Sequence, residues 1–268
     1  MKPFLSRPGP YLVAHRGGAR LAPENTLAAF DGAAQLGADA IELDVRLTRD
    51  AQVVVFHDES TERLTGVPGP VAERTLAELQ ALDAGWSFTP DGGATFPWRG
   101  RGLAAPRLAE VLDRYPAMLF NVEAKDPAPA LAEALARLVR ARSRVHGVCV
   151  GAADDTQGER LRRLLPEACH FLPERAAVCH VQAAWGRGLA SGCPPGYDVA
   201  DLPARLDDGT RVVDAAVVAY FHARAMPVHV WTVDDEAEMR ALLALGVDGI
   251  MTDRPDVLGR VLGRRARP

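Results

Sequence analysis

The chain has 268 residues, with 31 Lys+Arg against 35 Asp+Glu and a formal net charge of −4. Its 48% hydrophobic and 25% charged residues exclude disordered, collagen-like and coiled-coil classes and allow a large core. The slightly acidic balance gives no general attraction to nucleic acid or to an anionic membrane, and no apolar run approaches the roughly 18 residues of a membrane span. The N-terminal segment has no apolar stretch of signal-peptide length, because Arg7, Pro3, Pro8 and Pro10 interrupt it; a cytoplasmic protein is expected. Cys149, Cys169, Cys179 and Cys193 form no C-x-x-C pair, and a chain of this length does not depend on disulfides, so they read as buried or incidental thiols. Arg260, Arg264, Arg265 and Arg267 read as a frayed, solvated end.

Short apolar runs alternate with amphipathic ones along most of the sequence. Strands are expected at 11–15, 39–45, 118–123, 147–151, 169–172, 197–202, 227–232 and 248–252. Asn25 reads as the N-cap of a helix that stops at Gly37. Leu131, Leu135, Leu138 and Val139 recur at helical spacing within 127–142. Asp234 or Asp235 caps a helix that Gly246 ends. This alternation implies βαβ units and a mainly parallel sheet, and eight such strands point to an α/β fold of the (β/α)8 TIM-barrel type, with an open doubly wound sheet as the fallback.

Two stretches break the rhythm. Residues 52–57 follow the second strand too closely for a parallel crossover, so they fold back as a hairpin. With Arg49–Ala51 as the turn, Thr48 faces Gln52 and His57 returns beside Leu43 and Asp44. Residues 60–105, rich in Gly, Pro and aromatics, read as an insertion on the active-site face, with only 75–83 looking helical. A helix is expected near 107–115, and 185–196 forms a second turn-rich loop. The whole chain, 1–268, is expected to be one catalytic domain.

Parallel barrel strands are buried on both faces, so charged residues within them need a reason. Glu42 and Asp44 lie two apart in a strand and share a face. Glu123 ends another strand, and Lys125 lies two residues beyond it. Each set is near a strand's C-terminal end, where barrel active sites gather. Three converging carboxylates repel unless a cation holds them, and all-oxygen ligands suit Mg2+ or Ca2+ better than zinc. The bland alternative is barrel salt bridges to Arg16, Arg46 or Lys125. His15 and His57 end their segments beside these acids, which suits acid–base work. Arg16 and Lys125 suit an anion, and Gly17-Gly18 allows close backbone approach without being a phosphate-loop fingerprint. No nucleophile-elbow motif is present.

His15-Arg16-Gly17, Pro23-Glu24-Asn25-Thr26, Glu42-Leu43-Asp44, His57-Asp58, Asn121-Val122-Glu123-Ala124-Lys125, Trp231-Thr232-Val233 and Gly249-Ile250-Met251-Thr252-Asp253 stand in order. Together they resemble the glycerophosphodiester phosphodiesterase family from about Leu12 to Pro255. The resemblance implies a phospholipase-C-like TIM barrel and a small-molecule glycerophosphodiester substrate, hydrolysed to glycerol 3-phosphate and an alcohol with one divalent metal ion. By motif, Glu42, Asp44 and Glu123 resemble the metal ligands and His15 and His57 the acid–base pair. Arg16 and Lys125 resemble phosphate-binding residues, Glu24 and Asn25 line the site, and Trp231 resembles an aromatic packed on the glycerol portion. Thr252 and Asp253 read as caps of the following helix.

The chain departs from the family pattern at Ala105-Pro106-Arg107-Leu108-Ala109-Glu110, at Ala124, and at Gly151-Ala152-Ala153, which bears on recognition of the alcohol and leaves the metal and histidine positions intact. Rival readings are a lysophospholipase-D-type enzyme with an acyl groove among Trp86, Phe88, Phe96 and Trp98, a non-catalytic phosphate-ester-binding barrel, and a metal-dependent isomerase or lyase. The sequence carries no signal of oligomeric state, nor of which histidine is acid and which base.

Overall fold

The computed structural model describes residues 2–188 and 190–264. Its strands are β1 (Tyr11–Ala14), β2 (Ala40–Leu47), β3 (Val53–Val55), β4 (Leu119–Ala124), β5 (Val148–Gly151), β6 (Cys169–His170), β7 (Ala200–Pro203), β8 (Val228–Trp231) and β9 (Gly249–Thr252). Neighbours run β6-β5-β4-β2-β1-β9-β8-β7, all parallel; β3 pairs antiparallel with β2 and is bridged through Val54 to Arg107. A parallel bridge between Phe171 and Val199 joins the ends of this path. The eight parallel strands, with helices between them, form the expected (β/α)8 barrel.

Strand alternation divides the core. Leu12, Ile41, Phe120, Val150 and Ile250 face outward and pack with helix residues such as Phe30, Leu131, Leu135, Val139 and Phe221. Tyr11, Val13, Ala40, Cys149, Cys169 and Met251 form a separate cluster that fills the barrel. Deeper polar residues pair among themselves: Asn121 donates to Asp201 at 2.7 Å, and His229 Nδ1 lies 3.3 Å from the same carboxyl group. The sequence reading passed over Asp201 and His229, although the rule that singled out Glu42 applies to them equally.

The hairpin has the expected register. Val45, Arg46 and Leu47 pair with Val55, Val54 and Val53, and Thr48 N donates to Gln52 O at 3.0 Å. Phe56 N then donates to Asp44 O at 2.9 Å, which delivers His57 to β2. Within 60–105, Glu62–Thr65 and Leu76–Gln80 are helical, the second opened by a reciprocal Thr75–Glu78 capping box. Leu64, Val71, Leu79 and Ala105 pack on Val54 and Phe56, so this segment is seated on the hairpin.

Several local expectations change. Thr26, not Asn25, caps helix Leu27–Gln35, its hydroxyl accepting from Ala29 N at 3.3 Å. Asn25 adopts a left-handed φ of 58°, which Asn tolerates better than most residues and which frees its amide for another task. Asp235 caps Glu236–Ala244. Helix Pro255–Val261 has no side-chain cap, so Thr252 and Asp253 do not serve that role. Arg264 is not frayed: it donates to Asp39 and, at 2.9 Å, to Pro10 O, tying the C-terminal segment to the entrance of β1. Arg260 pairs with Asp256, while Arg265 and Arg267 lie outside the described residues.

The thiol reading is also corrected in part. Cys149 and Cys169 are free and buried, but Cys179 and Cys193 form a disulfide that folding brings together across 14 residues. No sequence spacing announces it, because the turn that closes it depends on packing of helix Glu174–Ala184. The bond links this helix to the loop leading into β7, on the strand-entry side and away from the carboxylates. Removing a cross-link over a loop of this size costs about 3 kcal/mol in the chain-entropy model. Cys179→Ser is therefore expected to lower the thermal midpoint by several degrees and leave kcat unchanged, as read by calorimetry and a turnover assay on the same preparation.

Candidate active site

The exit of β1 runs into His15-Arg16-Gly17. Arg16 takes a left-handed φ of 49° and Gly17 follows at 85°. A Cβ at Gly17 would lie 2.7 Å from the Phe30 ring and 2.8 Å from Ala29 Cβ, so only glycine allows this turn to press on the first helix. The turn aims Arg16 N at Glu42 Oε2, 2.9 Å away, and carries the guanidinium to Glu24 at 2.8 Å and Asp44 at 3.3 Å.

Strand register assembles the acids. Glu42 lies opposite Asn121 and Asp44 opposite Glu123 on adjacent strands. One oxygen from each of Glu42, Asp44 and Glu123 lies within 4.8 Å of the others. Oxygens that each sit about 2.0–2.6 Å from one hard ion satisfy that spacing. Asn25 Nδ2 donates to Asp44 at 2.9 Å, and Lys125 Nζ lies 3.1 Å from Asp44 and 2.9 Å from Glu123. The salt-bridge alternative thus holds for Arg16 and Lys125, but not for Arg46, which pairs with Asp126 and donates to His57 O at 2.9 Å.

These contacts split the carboxylates electrostatically. Burial raises the Asp44 pKa, yet Lys125 and Arg16 outweigh it and hold this carboxyl below its usual range. Glu42 is buried, with Asp44 beside it and, among the described residues, no Lys or Arg in ion-pair contact; burial first, and the Asp44 charge second, push it up to about 8. His15 Nε2 lies 3.9 Å from its Oε2. A buried carboxyl pushed so far, facing two further carboxyls, fits a divalent cation held by Glu42, Asp44 and Glu123.

Both histidines present Nδ1 to an aspartate. His15 Nδ1 lies 2.7 Å from Asp253 Oδ1, and His57 Nδ1 lies 2.6 Å from Asp58 Oδ1. Burial works against a charged His15, but Asp253 and Glu42 outweigh it and raise its pKa. Asp58 is held down to about 2, burial being outweighed by Arg63 and His57. Arg63, from the insertion, donates to both Asp58 and Glu24. Glu24 is thereby clamped between Arg16 and Arg63, which outweigh its burial and keep it ionised. Trp231 ends β8 at the same rim and is 42% exposed.

The sequence-expected residues His15, Arg16, Glu24, Asn25, Glu42, Asp44, Glu123 and Lys125 therefore join one contact network, and His57 adjoins it through the hairpin. Sequence reasoning missed Arg63, Asp126 and the role of Asp253. Of the aromatics proposed for an acyl groove, Trp86 and Phe96 flank Arg99, whose guanidinium carbon lies 4.1 Å and 3.8 Å from their ring centroids, Trp98 packs on the main core, and Trp86 stays 43% exposed.

Residues 15–257 match the model of the glycerophosphoryl diester phosphodiesterase family. The chain belongs to that family. It is by that membership a phosphoric diester hydrolase. A Bacillus subtilis relative, the putative glycerophosphodiester phosphodiesterase YhdW, is 33% identical over 92% of this chain and 96% of its own. The glycerophosphoryl diester phosphodiesterase domain of Rv2277c from Mycobacterium tuberculosis shares the fold, with TM-score 0.83, 24% identity and coverage of 96% of this chain and 99% of that one. An Oleispira antarctica phosphodiesterase, solved with the product sn-glycerol-3-phosphate, aligns with TM-score 0.71 and 25% identity over 94% of this chain and 96% of that one. Among the described residues no helix of this family member is long and apolar enough to cross a membrane.

Proposed function

We propose that this chain hydrolyses glycerophosphodiesters to glycerol 3-phosphate and an alcohol at the mouth formed by β1, β2, β4 and the hairpin. One observation carries the reading: three carboxyl oxygens within 4.8 Å of one another, bordered by two imidazoles and two cationic side chains. Glu42, Asp44 and Glu123 would hold Mg2+ or Ca2+, which supplies positive charge to a phosphoryl oxygen. Arg16 and Lys125 bind the phosphate and neutralise charge that grows on it. One imidazole takes a proton from the attacking group, water or a substrate hydroxyl, as the new P–O bond forms; in the second case water then opens the cyclic phosphate to glycerol 3-phosphate. The other, as imidazolium, gives a proton to the alcohol oxygen as the old P–O bond breaks. Asn25 and Arg63 act on this machinery indirectly, through Asp44 and through Asp58 and Glu24. The open face of Trp231 packs on the glycerol carbons, and residues 60–105 cap the mouth.

A panel of glycerophosphocholine, glycerophosphoethanolamine and lysophosphatidylcholine, each with Mg2+, Ca2+, Mn2+ or EDTA, tests this reading. Release of glycerol 3-phosphate from the deacylated diesters, abolished by EDTA and restored by Mg2+ or Ca2+, is expected. Binding without turnover under every metal would instead make the chain a phosphate-ester-binding barrel. Turnover of lysophosphatidylcholine alone would favour the lysophospholipase-D-type reaction. The cytoplasmic location expected from the sequence is opposed by the Cys179–Cys193 bond, since such bonds persist in oxidising compartments. Counting free thiols in protein taken directly from cells tests it.

A further inference from the structure

We infer that Asp253 is a positioning residue for His15: it fixes the imidazole with its proton on Nδ1 and presents Nε2 to the acid cluster. The inference rests on the acid–base reading of His15. Asp253 lies 238 residues away in the chain, at the exit of β9, yet its Oδ1 is 2.7 Å from His15 Nδ1. A carboxylate only accepts hydrogen bonds, so Nδ1 is the donor. In the neutral ring Nε2 then keeps its lone pair, and that atom lies on the Glu42 side, 3.9 Å from Oε2.

The carboxylate is itself held in place. Asp253 N donates to Asp234 Oδ1 at 2.8 Å, the Thr252 hydroxyl donates to the same oxygen at 3.0 Å, and Arg20 Nε donates to Asp234 Oδ2 at 2.8 Å. Arg20 N donates to Asp253 O at 3.3 Å. The main chain of Asp253 is thus anchored on both sides, while its side chain bonds His15. Truncating that side chain removes the contact to the imidazole and leaves the anchor intact. The arrangement differs from that at His57, whose aspartate is the next residue in sequence and is braced by Arg63 from the insertion.

The test compares His15→Ala, Asp253→Ala and Asp253→Asn with the parent enzyme, using glycerophosphocholine and saturating Mg2+. Kinetics are read together with thermal midpoint, Mg2+ affinity and the 15N shifts of the His15 ring. Loss of the carboxylate that sets the tautomer of an acid–base imidazole costs up to about 10⁴-fold in kcat. Asp253→Ala is expected to lower kcat within that range, with KM, Mg2+ affinity and thermal midpoint little changed. Asp253→Asn, which keeps an acceptor oxygen, is expected to fall between it and the parent. The 15N spectrum of the neutral ring is expected to change from the Nδ1–H form to a tautomer mixture in Asp253→Ala. If His15→Ala is inactive while both Asp253 variants keep the parental kcat and tautomer, the inference fails and the reading of His15 stands. If His15→Ala itself keeps the parental kcat, the acid–base reading fails and takes the inference with it. Equal loss in both Asp253 variants, accompanied by lost stability or Mg2+ affinity, would assign Asp253 a structural role and overturn the inference. Asp253→Asn preserves shape, so it carries the test even where the alanine variant folds poorly.

Discussion

Replacing His57 by alanine is expected to lower kcat by about 10²–10⁴-fold, the usual contribution of a general acid or base. His15→Ala is expected to do the same. Neither side chain supports the main core, so both variants should fold, with thermal midpoints close to the parent. The expectation for His57 follows from the hairpin, whose main-chain bond from Phe56 to Asp44 delivers the ring to β2. It follows also from Asp58, which stays ionised because Arg63 and His57 hold it down to about 2 against its burial. An anionic partner at Nδ1 accepts the ring N–H and fixes the direction of Nε2. A parental kcat in either variant, in a preparation freed of contaminating phosphodiesterase, would remove that histidine from the reaction.

Metal binding near pH 7 is expected to expel about one proton from Glu42, because metal ligands must be deprotonated. In the folded chain this carboxyl is pushed to about 8, against an ordinary value of 4.5, by burial and by Asp44. The sign follows directly. A folded-state pKa above the unfolded one means that the folded chain binds the proton more tightly. The stabilisation is complete below pH 4.5 and disappears as pH rises through about 8. Metal-free protein should therefore lose stability across that window, while protein with excess Mg2+ should lose less, since the cation replaces the proton. Mg2+ affinity should rise with pH until Glu42 is ionised. Titration calorimetry in two buffers of different ionisation enthalpy reads the expelled proton. Glu42→Gln should abolish the proton release, weaken Mg2+ binding and strip activity. Unchanged Mg2+ binding in Glu42→Gln would exclude this residue from the ligand set.

The sequence alone determined the barrel and most of the proposed site. Strand alternation is local, so Glu42 and Asp44 had to share a face, and apolar β1 had to end at His15. The short connection after β2 likewise forced a hairpin, and turn geometry set its register. The resemblance of the ordered motifs then joined acids from separate strands. Only the tertiary structure decided how those groups are paired. Asn25 turned from a helix cap to a partner of Asp44 because Thr26 could cap in its place. Asp253 reached His15 because the first and last strands are neighbours in a closed sheet. Arg63 reached Glu24 and Asp58 because the insertion packs back on the hairpin. Cys179 met Cys193 by the same kind of return. Local steric and periodic rules act over a few residues and are written in the sequence, whereas side-chain pairing across tens or hundreds of residues depends on where packing brings the backbone.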